Sequence, residues 1–507
     1  MNRLARLCLL GLVAHTALGS QPSFSAGRTK LTLALEDSVR TFDPRQSVDA
    51  NSQYVEDLVH CSLITFDAEG HSVPGIAAAL PRWIKDDTLE ISLRDGLRFS
   101  DGSPLTAQDV SATYQSLLTG RGLARSGSFA TLSSIKVKDQ KTLEFRLKEP
   151  DASFITNLVV GILPAKSAQE KLIDPLKLPT CGPYRLKSID INTIVLEKNP
   201  QYSGSDAPKL ELLELKIVKN EKTRFAKLQT GEIDLVQNSI SRDTVKAIEK
   251  KNPRLSVIRR PGLKTTYLGF NLRDPLTGSL AVREAIAYAI QKQEIIDIIL
   301  GGMATPANTL LPTQSPFYDS SLKPRTQDLE RAKKILDAAG FPMKGEARFE
   351  LSFKTTTDIT RISVAKAIAS QLKKVGIKVK VEPMEWGRFK QDVDAGRVQL
   401  WSLNWVGFKD PDIYRHAFAT DSFPPNGANR GWYTNPALDT LLKKGRSTNN
   451  REERVNIYKE IQQLVDKDLP YVFLWHEDNF AVVNRGLQGF TLFADGRYAS
   501  LRQAYFQ

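Results

Sequence analysis

A chain of 507 residues is long enough for two or three domains and a large core. Its 41% hydrophobic and 25% charged residues are those of an ordinary soluble globular protein, which excludes disordered and fibrous classes. The net charge of +13 is scattered as Lys and Arg among Asp and Glu, with no run of five basic residues, so the composition argues against a nucleic-acid partner.

The chain opens with "MNRLARLCLLGLVAHTALGSQPSFSAG". Arg3 and Arg6 form a basic start, Leu7 to Val13 an apolar run, and cleavage fits after Gly19, Ser20 or Ala26. This pattern predicts a secretory signal peptide over 1–26, too short for a membrane span. Cys8 lies inside the apolar run, too early for an acylated lipoprotein cysteine, so a free periplasmic protein is expected. No later stretch approaches 18 apolar residues. Beyond the signal only Cys61 and Cys181 remain, either as a disulfide in an oxidising compartment or as two buried thiols.

"LTLAL" (31–35) reads as a strand ending at Glu36-Asp37, and a helix follows near Ser52 to Val59. "TLEISLRDGLRFSDGSPLT" reads as two strands with turns at Asp95-Gly96 and Asp101-Gly102. Thr106 with Asp109 forms a capping box that opens a helix to about Leu118, and "IKVKDQKTLEFRL" is a hairpin. From Tyr184 the pattern becomes βα: strand "LELLELKIV", a helix stopped by Gly231, then strand "IDLVQ", which implies a parallel crossover. "TYLGFNL" is one more strand, and "VREAIAYAIQKQEIIDIIL" is one long helix ended by Gly301-Gly302. "RFELSFKT", a helix to Val375, "IKVKVEPM", a helix around Phe389 and "VQLWSLNWV" make a βαβαβ lobe of three layers. Ligands of such lobes sit at the carboxyl ends of the strands, which places the turn Gly407 to Asp412 at a cleft.

No nucleotide-binding glycine loop, GxSxG elbow, SxxK motif or HExxH pair occurs, so no catalytic residue, metal ligand or cofactor is expected. What does occur is an ordered set of segments. "LRDGLRFSDGSPLTAQDVSATYQSLL" (93–118), "CGPYRL" (181–186), "LQTGEIDLV" (228–236), "YLGFNL" (267–272), "WVGFKDPDIY" (405–414) and "YTNPALDTLL" (433–442) together resemble the family 5 extracellular solute-binding proteins. These are receptors of peptide, dipeptide, oligopeptide and nickel ABC importers. The resemblance implies an α/β, two-lobed periplasmic binding protein fold (type II, cluster C) with an extra inserted domain. It lays out a first lobe from 27–50, 180–270 and 478–507, an insertion over 51–179, and a second lobe over 271–477. The implied function is capture of a small solute, an oligopeptide or dipeptide first, for delivery to an inner-membrane permease by a monomeric protein. A non-peptide solute (a nickel complex or a sugar) and a secreted enzyme on the same scaffold are the alternatives.

In the family's dipeptide and oligopeptide receptors an aspartate in a Trp-x-x-Asp turn anchors the peptide amino group. Here Trp405 is followed by Val-Gly-Phe-Lys-Asp-Pro, which puts Phe408 or Lys409 at that place and Asp410 just beyond. Asp410 is therefore either an anchor or the acid of a structural turn. The other candidate ligand residues stand at strand ends: Glu36 and Asp37, Asn238 and Ser239, Trp386, Trp405 and Phe408. Trp401, on the same strand face as Trp405, reads as core.

Overall fold

A computed structural model describes residues 27–120 and 122–507; the proposed signal peptide lies outside these residues. Lys30–Leu35 is buried along almost its whole length because parallel strands flank it on both sides, Leu212–Ile217 and Leu235–Gln237. A strand covered in this way reads as a continuous apolar run, which is why "LTLAL" shows no polar alternation. Between its two neighbours the helix Glu221–Thr230 starts on the Asn220 cap and stops at Gly231, whose φ of 81° suits glycine.

The main sheet has 11 strands. Its second half orders Ile377–Met384, Phe349–Thr356 and Leu400–Trp405 in parallel, the expected βαβαβ lobe. Two long antiparallel strands, Leu255–Phe270 and Tyr471–Asn484, join this half to the first. Their register shifts between Pro261 and Lys264, where the pair crosses from one lobe to the other. Gly262 is required there, since a Cβ would stand 2.6 Å from the Glu477 carbonyl oxygen. The amino-terminal half of Leu255–Phe270 packs in the first-lobe core and the other half, with Tyr267, Leu268 and Phe270, in the second.

The insertion carries the antiparallel sheet of Arg82–Lys85, Thr88–Ser92, Thr142–Leu147 and Leu132–Val137. The helix Ala107–Thr119, opened by the Thr106–Asp109 capping box, packs Tyr114 edge-on against Phe129 and Phe145. The helix Ala50–Val59, assigned above to the insertion, instead buries Val55, Leu58 and Val59 in the first-lobe core. The excursion starts just after it, and there Cys61 and Cys181 form a disulfide with Cα atoms 5.3 Å apart. The bridge joins the points where the chain leaves the first lobe and returns to it.

Three local expectations change. The residues after Ser92 form only isolated bridges, Leu93 with Ala77 and Arg98 with Pro104, because the turn at Asp101-Gly102 closes at once through Phe99 and Ser103. Tyr184–Ile189 and Thr193–Lys198 form an antiparallel hairpin at the sheet edge before the βα pattern begins. The long helix is two, Leu280–Ala289 and Lys292–Ile299. Ile290 between them is extended, the Gln291 N–H turns to the Gln371 side chain, and the buried Lys292 ammonium donates to the Ala307 carbonyl at 2.6 Å. Tertiary partners, not a Pro or Gly, make that break.

Candidate functional site

The candidate residues stand at the carboxyl ends of strands in both halves of the main sheet. From the first lobe come Glu36 and Asp37 after Leu35, both exposed, and Asn238 and Ser239 after Gln237. Asn238 adopts φ 54°, and its side chain bonds Asn479 at 3.0 Å and the Phe480 N–H at 2.9 Å, so it ties the strand end to the crossing pair. Ser239 is buried, and its carbonyl accepts from the Arg224 guanidinium. Asp37 caps the Ser38 N–H. Glu36 therefore keeps the more available carboxylate of this wall.

From the second lobe, Trp386 starts a helix and is 52% exposed, tilted on Phe389. Trp405 ends its strand half-buried. Its ring is stacked at 6.1 Å from Tyr267, meets His416 edge-on at 5.7 Å, and has a buried Nε1 with no partner among the described residues. Burial, then the cations Arg430 and Arg415, push the His416 imidazolium towards its neutral form. Trp401 is fully buried, with its indole laid on Gly269. Beyond Trp405 the turn is open, with Val406 65% exposed.

The three side chains that follow each go elsewhere. Phe408 packs on the second-lobe core beside a cavity of about 340 Å³ between that lobe and the insertion, which Trp83, Leu263 and Phe317 also line. Asp410 makes a two-bonded pair with Arg454 at 2.7 and 2.8 Å and also accepts the Asp412 N–H. Its oxygens are satisfied inside the second lobe, the arrangement of a structural turn acid. Lys409 crosses to the other wall. Its Nζ lies 2.8 Å from Asp495 and 3.8 Å from the centroid of the Phe66 ring.

Asp495 and Arg497 were not foreseen. Their signal is a charged Asp-Gly-Arg inside the apolar run "FTLFADGRYASL", which reads equally as a surface turn. Arg497 also bonds Asp57 at 2.8 Å. Burial opposes ionisation of Asp495, but Lys409 and Arg497 outweigh it and hold its carboxyl below the ordinary range. For Asp57 burial wins over Arg497 and raises it. The insertion also touches the second lobe, where Arg446 meets Asp151 at 3.0 Å and His71 meets the Gln314 carbonyl at 3.0 Å. A second cleft of about 300 Å³ at the crossing strands is lined by Arg242, Lys264, Arg361 and Glu477. Among the described residues no helix is long and apolar enough to cross a membrane.

Comparison with known proteins agrees with this architecture. The family model described as bacterial extracellular solute-binding proteins, family 5 Middle, matches residues 71–424. Protein XP55 of Streptomyces lividans is 30% identical over 475 residues, 89% of this chain and 83% of that one. A glutathione-binding protein GsiB of Pectobacterium atrosepticum is 28% identical over 481 residues, 91% of each chain. Among solved structures, the periplasmic binding protein DppA of Helicobacter pylori in complex with the peptide STSA superposes with a TM-score of 0.73 at 25% identity, covering 94% of this chain and 98% of that one.

Proposed function

The chain belongs to the bacterial extracellular solute-binding proteins of family 5, and we propose that its solute is a short peptide or peptide-like molecule held between the lobes for an ABC permease. What supports this is that candidate residues stand at strand ends in both lobes, and that the turn after Trp405 reaches the first lobe through Lys409 and Asp495. The glutathione-binding and peptide-bound relatives support the solute class. Asp410 is spent on Arg454, so recognition of a free amino end does not run through the carboxylate of this turn. Binding is without turnover, the protein is a monomer, and it works in the periplasm after loss of its signal peptide. The Cys61–Cys181 bridge fits that oxidising compartment.

Protein recovered from the periplasm and denatured in a mass spectrometer should release a peptide-class solute. The intact mass should correspond to a start between Ser20 and Gly27. A chain retaining Met1, or a non-peptide solute, would count against the reading.

Trp405→Ala is expected to weaken binding of that solute by about 1–3 kcal/mol, as for a packed contact residue that is truncated. Calorimetric titration alongside a melting curve decides it. Unchanged affinity with a sharply lower melting temperature would make the indole part of the core and remove Trp405 from the cleft.

A further inference from the structure

Where the lobes meet, Asp495 faces cations from both sides. On the first-lobe side Arg497 lies between Asp495 and Asp57: its Nε is in ion-pair contact with Asp495 at 3.0 Å, and a terminal nitrogen donates to Asp57 at 2.8 Å. Phe66 floors this socket, with the Arg497 guanidinium 5.2 Å from its ring centroid. Arg497 is thus shared between two carboxylates, and Asp495 does not have a cation of this side to itself. Asp495 is 3% exposed at its side chain and Lys409 17%, so a second cation is supplied in a largely dry place by a residue of the second lobe. The ammonium also sits 3.8 Å from the Phe66 centroid, where a cation gains from the ring face.

We propose that Lys409 is a built-in ammonium latch: it plugs an acidic socket on the first lobe, pairs with it only when the lobes meet, and so biases the receptor towards closure before solute adds its own contacts. This rests on the two-lobed receptor reading above. Separating the lobes would remove one of the two cations that Asp495 faces and return Lys409 to water. Closing exchanges that hydration for one ion pair and one aromatic contact. The latch also determines specificity in a negative sense, because a solute amine finds this socket already filled.

The test uses the full mature protein and reads closure without solute, so it does not depend on knowing the solute. Small-angle scattering should show Lys409→Met, which keeps the length of the side chain and removes its charge, to be more open than the wild type. The closed-to-open ratio should drop about tenfold, the size expected for loss of one partly desolvated pair. Lys409→Ala leaves room at the socket, and propylammonium should restore compaction in that variant. In Lys409→Ala combined with Asp495→Asn the same amine should do nothing. Equal compaction of Lys409→Met and wild type would overturn the latch, as would propylammonium acting equally with and without Asp495. Solute titration of Lys409→Met separates the two ideas: compaction at saturating solute keeps the receptor reading whether or not the latch survives.

Discussion

Replacing Cys61 and Cys181 together by alanine is expected to lower the unfolding free energy by about 4–5 kcal/mol, from the loop-length dependence of a disulfide. The two cysteines are 120 residues apart in sequence, so the bridge removes a large loop-closure entropy from the unfolded chain. The folded contacts beside it survive the change. Gly182 still donates to the Val59 carbonyl at 2.9 Å, and Val55, Leu58 and Val59 keep their seats in the first-lobe core. The loss should therefore appear as a lower denaturation midpoint with little change in solute affinity. Wild type under a reductant should show the same shift, which separates loss of the bond from loss of side-chain packing. Coincident midpoints for oxidised protein, reduced protein and variant would show that the bridge contributes nothing to stability.

Local signals made much of this fold legible. The Thr106–Asp109 box, the Asn220 cap and the Gly231 stop each mark a helix end by chemistry that acts within a few residues. The buried run at 31–35 and the alternating lobe strands were legible for the same reason. The crossing strands were not. "TYLGFNL" is only the end of Leu255–Phe270, because Arg259, Arg260, Pro261, Gly262 and Lys264 break the apolar pattern where the strand leaves both cores. The break at Ile290 was hidden too, since a Gln371 side chain and the Ala307 carbonyl cause it from distant parts of the chain. At the cleft, Gly407 and Pro411 located the turn after Trp405. What its charged residues do could not be read there, because the partners of Lys409 and Asp410 come from the last strand-free segment and from the helix Arg451–Asp468. A short acidic-basic turn carries the same local pattern whether it waits for a ligand or is already paired.

That ambiguity at Asp410 has a direct test in stability. Asp410→Ala should cost about 3–5 kcal/mol, the penalty for stranding one partner of a buried ion pair. Arg454 would be the stranded group: its side chain is 7% exposed, and its guanidinium lies 5.4 Å from the Phe317 ring and 5.2 Å from that of Tyr458. Among the described residues only the Gly445 carbonyl, at 2.8 Å from Nε, would still accept from it directly. The Asp412 N–H would lose its acceptor as well. Removing both charges together, Asp410→Ala with Arg454→Met, should recover most of the loss, because the desolvation cost of the guanidinium disappears with its partner. Denaturant midpoints of the wild type, the two single variants and the double variant supply the cycle. A structural pair gives a large single-variant loss and strong non-additivity, with solute affinity changed little. If Asp410→Ala instead costs less than about 1 kcal/mol, the range of an exposed pair, and abolishes solute binding, then this carboxylate faces the cleft and anchors the ligand after all.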